Sequence, residues 1–351
     1  MKLVIKQKKK NEYVNTLRFN QVDEGTGKTV STALICIRSM RFSGRFVPTM
    51  TIADVSTLPE YRNQGLVRAT LNEAHARARE YGACVSILHP FSFDFYRKFG
   101  YEKVSDTVSA TFKTSVLTPI CDLTPLEEKY YNDIIELFRA FSKKRNLMLD
   151  RFDISAFLRR KAQTYLLLDG EELLGYITFE KDTEKKQITV SEIVFRDENA
   201  ILPLISYVGN FKEEFDTITI SDVEPIPEIY GLCERVDAVY ESRGDLAARI
   251  LDTEALLLAN EYPEERGEFT LRVNDTLPTV AGVFKVVYGD KKCTVERLSD
   301  TTQEDITADA SYLLRRIFGC DSTTTGITIA NKKDVFLRAF PKRINGLFEH
   351  F

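Results

Sequence analysis

Apolar and polar positions along the chain fall into three successive patterns. In the first, to about residue 118, residues 32–42 and 45–56 read as strands joined by a turn at Ser43 and Gly44. A Pro-containing loop covers residues 58–63. Val67, Leu71, Ala74 and Ala78 then recur at helical spacing. A helix therefore starts near Gln64 or Gly65, His75 falls on its exposed face, and Gly82 suits its left-handed end. Residues 84–88 are an apolar run of strand length. Ser92 is placed to cap a short helix that ends at Phe99, before Gly100. Strand, strand, loop, helix, strand, helix is the order of an α/β unit.

The second pattern opens at Thr124, Pro125 and Glu127, which together read as a helix start. Ile134, Ile135, Phe138 and Phe141 carry that helix on. Residues 165–168 and 172–179 flank Asp169 and Gly170, a hairpin turn. Residues 187–195 and 217–220 read as strands, with a helix at 201–211 between them. This order echoes the first pattern, so the second is expected to be a degenerate repeat of it. In the third, strands are expected at 269–273, 280–288, 292–298, 326–329 and 335–339, and a helix at 310–318 that stops at Gly319. That is an α+β pattern. The expected domains are 1–118, 119–264 and 265–351.

Composition narrows the function classes. A chain of 351 residues exceeds one ordinary core. Its 43% hydrophobic and 28% charged content is that of a soluble globular protein. No apolar run reaches the roughly 20 residues of a membrane span, and no signal peptide follows the basic start, so a cytoplasmic protein is expected, with no membrane partner. A net charge of −4 argues against a nucleic-acid partner, and the basic run at residues 6–10 reads as a solvated patch. Six scattered cysteines without a CxxC pair should be reduced thiols. Three histidines far apart make a histidine metal site or a Ser-His-Asp triad unexpected, and no metal is called for.

The chemistry-bearing stretch is residues 54–68. A strand feeds a loop and the loop feeds a helix N-terminus, where free backbone N–H groups and the helix dipole suit a pyrophosphate. Gly65 lets the backbone approach it, and Arg62 and Arg68 add charge. Taken alone, Arg-x-x-Gly-x-Val more often describes an ordinary glycine-bearing helix start. The context is more specific, because a strand precedes it, another follows the helix, and Tyr96-x-x-x-Gly100-Tyr101 comes next.

That succession resembles the GNAT superfamily of N-acetyltransferases. Residues 62–71 (RNQGLVRATL), and Leu88-His89 leading to Phe95-Tyr96-x-x-Phe99-Gly100-Tyr101, are similar to its Eis-like branch in particular. The resemblance implies tandem GNAT-like domains, the second without the cofactor motif, followed by an α+β domain similar to sterol carrier proteins. Residues 196–200, which lack glycine, agree with a degenerate second domain. It further implies acetyl-CoA as co-substrate and a homo-oligomer, with a hexamer as one form.

Residue by residue, the resemblance gives Val55, Ser56 and Thr57 to the pantetheine arm, and Asn63, Gln64, Gly65, Leu66, Val67 and Arg68 to the pyrophosphate. Phe91 and Ser92 also touch the cofactor. Tyr96 would donate a proton to the departing thiolate, although among Phe93, Phe95 and Phe99 it also reads as a core aromatic. The carboxylate of Phe351 would be the base, although most chain ends fray in solvent. His89 is expected to fix its loop. Two departures stand out: only about 30 residues precede the strand at Thr32, and Val67 replaces a smaller residue at the helix start.

The expected activity is acetyl transfer to a primary amine in a ternary complex, with polyamines, aminoglycoside-like polycations or lysines as acceptors. The alternative is a non-catalytic carrier of apolar ligands or a scaffold, with a degenerate cofactor site and a tunnel among Val273, Val283, Leu298 and Leu314.

Overall fold

The computed structural model describes residues 1–9, 15–152, 154, 163–320 and 324–348. They form two compact units: Met1–Ser105 with Asp245–Arg343, and Asp106–Gly244 with Ile344–Phe348. All six cysteines are free. Among the described residues no helix is long and apolar enough to cross a membrane.

In the first unit, strands β1 (Lys2–Lys9), β2 (Asn15–Val22), β3 (Thr29–Phe42) and β4 (Arg45–Thr57) run antiparallel in that order. Helix α1 (Leu66–Glu80) then crosses over, and β5 (Val85–Leu88) returns parallel to β4. A short helix α2 (Phe93–Arg97) follows. On its other side β5 pairs antiparallel with Ala247–Ile250, the end of the strand Val239–Ile250. The stretch before β3 is therefore built as two strands, and no helix occurs among its described residues. Leu17, Phe19, Ile35, Met50, Leu71, Ala74 and Ala78 form the core between sheet and α1.

The buried face of α1 is wider than the stripe read from sequence. It also takes in Thr70 and His75, and His75 is 1% exposed rather than facing solvent. One position round the helix from Ala74, its ring swings under the sheet and finds a polar partner there.

The same unit contains a second sheet, ordered Lys292–Leu298, Gly282–Gly289, Gly267–Asn274, Ile306–Asp309, Ile327–Ile329. The helix Ala310–Ile317 ends before Gly319, which has φ +67°. Residues 335–339 read as a strand but belong to the helix Lys333–Ala339, which buries Phe336 and Ala339 three positions apart. Short apolar runs do not separate the two periods. Val273, Val283 and Leu314 are buried here, and Leu298 is half-buried.

The second unit repeats the crossover. Gln163–Asp169, Glu172–Asp182 and Gln187–Phe195 are antiparallel, with Gly170 at φ +59° in the first turn. The helix Ile201–Ser206 leads to Thr217–Ile220, parallel to Gln187–Phe195. Thr124 and Pro125 do not open a helix. They form a short edge strand on Leu166 and Tyr165, where a residue without an N–H is tolerated, and the helix begins at Tyr131. The core of this unit encloses Arg151, paired in two 2.7 Å hydrogen bonds with Glu192 and lying 4.1 Å over the ring of Phe138.

Candidate functional site

The parallel pairing of β4 with β5 stops at Ile52 and Leu88. Beyond it β4 bulges. Asp54 takes φ +51° and the register against β3 shifts, so residues 53–57 leave β5 behind. Val55 and Thr57 are half-buried and Ser56 is exposed. Their β3 side is held by pairing with Ser31 and Thr32. Their other side has no strand partner among the described residues.

From β4 the chain turns through Pro59–Tyr61 into α1. Asn63 at φ +61° and Gly65 at φ +76° curl the backbone so that N–H groups converge. Gly65 is the N-cap, no side chain caps the helix, and its first turn holds no carboxylate. The first intrahelical bond shown runs from Ala69 N–H to Gly65 C=O, which leaves the N–H groups of Leu66, Val67 and Arg68 without helical partners. A Cβ at Gly65 would meet nothing within 4 Å, so the backbone there is open to a ligand.

These elements border a cleft of about 700 Å³. Of the cofactor residues read from sequence it gathers Val55, Ser56, Thr57, Asn63, Gly65, Leu66, Val67, Arg68 and Phe91. Gln64 and Ser92 are not among its lining residues. Gln64 bonds back to Glu60 C=O, and Ser92 caps α2 by accepting from Phe95 N–H at 3.2 Å. Tyr61, Arg62, Phe95, Lys98 and Phe99 complete the lining. Arg62 and Arg68 were singled out for their charge. Lys98 and the aromatic wall were not, because only tertiary structure brings them there. Arg68 lies 4.9 Å over Phe99 and donates to Lys98 C=O. Val67 packs partly on the core beneath and also borders the cleft.

Tyr96 sits under this wall, 4% exposed, with ring centres of Phe91, Phe95 and Phe99 at 5.5, 5.1 and 6.5 Å. Among the described residues its hydroxyl has no hydrogen-bond partner. Burial pushes its pKa up to about 12, so it holds its proton at neutral pH. A buried thiol in this molecule behaves the same way: desolvation pushes Cys84 up to about 12. His89 is 3.3 Å from Asp245 through Nδ1 and is thereby tied to the strand Val239–Ile250. Phe351 lies outside the described residues.

In the second unit a cleft of about 840 Å³ lies at the corresponding crossover. Asp133, Glu136, Glu171, Glu172, Asp197, Glu198 and Glu228 line it against Lys144, Arg145 and Arg196. Arg145 and Arg196 are already paired, with Glu228 and Glu172. Asp197 caps the turn that leads into the helix, accepting from Asn199 N–H at 2.8 Å. This larger cleft is acidic, and a carboxylate already occupies the turn before its helix.

The sequence pattern of the acetyltransferase (GNAT) domain matches residues 5–104. No curated protein matches the chain in sequence. Several solved structures share its fold. A GCN5-related N-acetyltransferase from Anabaena variabilis ATCC 29413 superposes with TM-score 0.83 at 22% identity, over 96% of this chain and 89% of the other. One from Kribbella flavida gives 0.79 at 19%, over 96% and 87%. Eis1 from Mycobacterium abscessus gives 0.74 at 16%, over 95% and 90%. The protein is an enzyme with a GNAT acetyltransferase domain and an Eis-like fold. GNAT domains in general use acetyl-CoA and act on amines.

Proposed function

We propose that the protein transfers the acetyl group of acetyl-CoA directly to a primary amine, with the cleft beside α1 as the cofactor site. The observation that carries this is one juxtaposition. An uncapped, carboxylate-free helix start flanked by Arg62, Arg68 and Lys98 shares a cleft with the unpaired side of residues 55–57, and Tyr96 lies beneath. The N–H groups of Leu66, Val67 and Arg68 would take the pyrophosphate, and the free side of β4 would take the amides of the pantetheine arm. The amine nitrogen attacks the thioester carbon, the C–S bond breaks, and the sulfur accepts the Tyr96 proton. The extra proton on the amine goes to a base. By resemblance that base is the carboxylate of Phe351, and removing the last residue tests it.

The second unit is read as a GNAT-like domain that has lost the phosphate cradle, which Asp197 and Glu198 support. Residues 265–351 are read as the sterol-carrier-like part. Polyamines, aminoglycoside-like polycations and lysine side chains are the acceptor classes to try first.

CoA release from acetyl-CoA with a panel of such amines tests the reading. Wild type should release CoA only with an acceptor present, and Tyr96→Phe should lower kcat by about 10²-fold or more. No release with any amine, together with no acetyl-CoA binding, would retire the proposal.

A further inference from the structure

Four aromatic rings surround Tyr96, and they are not equally fixed. Phe91, Phe95 and Phe99 line the cleft, and Phe91 is 73% exposed. The fourth, Tyr101, is 1% exposed, with its ring centre 5.9 Å from that of Tyr96 at an interplanar angle of 73°. Its hydroxyl lies 2.7 Å from Ser86 Oγ on β5 and 2.9 Å from His75 Nε2 on α1. Its backbone N–H bonds Tyr96 C=O. Tyr96 stands on a helix of five residues, too short to be stable by itself. Its orientation therefore depends on what it packs against, and only one of those rings is tied down by hydrogen bonds at its far end.

The tie is itself braced. His75 Nδ1 is buried and has no partner among the described residues, and a bare lone pair is less costly there than a bare N–H. We therefore assign the proton to Nε2, so that His75 donates to Tyr101 and Tyr101 donates to Ser86. Burial, with the positive charges of Arg249 and Arg79, holds the His75 pKa down at about 3, so the ring stays neutral. Gly100, at φ +80°, joins α2 to Tyr101. A Cβ there would come 2.9 Å from Arg249 Cζ, and Arg249 is fixed by Asp275 at 3.1 Å. The turn between Tyr96 and Tyr101 is thus clamped from outside.

We propose that Tyr101 and His75 are positioning residues, which hold the Tyr96 ring in register with the helix whose N-terminus forms the phosphate cradle. His75 belongs to α1, so the chain α1, His75, Tyr101, Tyr96 links the end of the cofactor that binds to the end that reacts. This rests on the transferase reading for its chemistry, though not for its geometry.

The test is a double-mutant cycle on kcat and on KM for acetyl-CoA. Tyr101→Phe keeps the ring and loses the tie. It should lower kcat about tenfold and leave KM within about twofold. His75→Leu should do the same, and His75→Gln, whose amide nitrogen can replace Nε2–H, should restore most of the loss. In a Tyr96→Phe background, Tyr101→Phe should cost nothing further. An unchanged kcat in Tyr101→Phe, or an equal loss with and without the Tyr96 hydroxyl, would overturn the proposal. Ring flipping of Tyr96, followed by NMR with labelled tyrosine, decides the same point without turnover: it should speed up in Tyr101→Phe, and unchanged flipping is a negative result. Failure of the transferase reading would show separately, as a wild type that releases no CoA while its ring flipping still responds to Tyr101→Phe.

Discussion

The helix after β4 begins at Gly65 with no carboxylate in its first turn, and its free N–H groups face a cleft with Arg62, Arg68 and Lys98. The helix after Gln187–Phe195 stands at the same step of the same crossover. It begins behind Asp197, whose carboxylate already holds the Asn199 N–H, and the turn before it borders a cleft lined by seven acidic side chains. A β-strand, a turn and a parallel return make both corners. What separates them is the charge at the turn that leads into the helix. A backbone that supplies its own anion has no use for a phosphate, and one that supplies none is poised for it. The shared crossover therefore says little about chemistry, and three or four side chains at one turn say most of it.

The largest effect should come from giving the first corner the character of the second. Gly65→Asp is compatible with the left-handed backbone, since Asp visits that region more readily than most residues. It places a carboxylate at the free N–H groups. Acetyl-CoA affinity by calorimetry should fall about 100-fold, about 2.8 kcal/mol. Unchanged affinity would mean that phosphate does not bind there.

Next comes a difference in the buried polar groups. Each unit buries an ion pair, Arg151 with Glu192 in the second and Arg249 with Asp275 in the first, and the first also buries a neutral His75. With a folded pKa of about 3 against 6.5 unfolded, the unfolded chain binds the extra proton between those values. Stability therefore rises with pH across that window, and acidification below 6.5 removes up to about 1.4 kcal/mol per pH unit. Urea midpoints from pH 6.5 to 5 should fall less steeply in His75→Gln than in wild type. Parallel slopes would show that His75 is not the group responsible.

The smallest effect is at the second corner. Asp197→Ala should cost about 1 kcal/mol as a lost cap. Calorimetry should still count one acetyl-CoA per chain, because Glu198 and the other carboxylates remain. A second site appearing would break the contrast.

Much of this was legible in the sequence where local chemistry decides structure. Gly65, Gly82, Gly100 and Gly170 all take the left-handed backbone, and the Asp169–Gly170 hairpin and the strands around α1 follow the apolar pattern. The strands Glu102–Lys113 and Val239–Ile250 are not evident from that pattern. Few residues of the first are buried, and the second carries six exposed positions and a Gly-Asp pair before its buried end. Thr124 and Pro125 show a good local helix start overruled by an available sheet edge. At the site, the glycine-bearing helix start and Tyr96 were singled out through the family resemblance, and most of the residues so named border one cleft. Lys98 in the cleft wall, and Arg249 against Gly100, were not, because they are placed by packing between segments distant in sequence.

The strand end Ala247–Ile250, which flanks β5 and brings Arg249 onto Gly100, is made long after its neighbours. The ribosome finishes β5 and α2, then adds all of Asp106–Gly244 before that strand exists. At ~5–20 residues per second this interval lasts roughly 7–28 s. Throughout it, β5 has an open hydrogen-bonding edge made of Val85, Ser86, Ile87 and Leu88, the kind of edge that recruits another strand. The nascent chain thus carries this edge unpaired while a whole second unit is being translated.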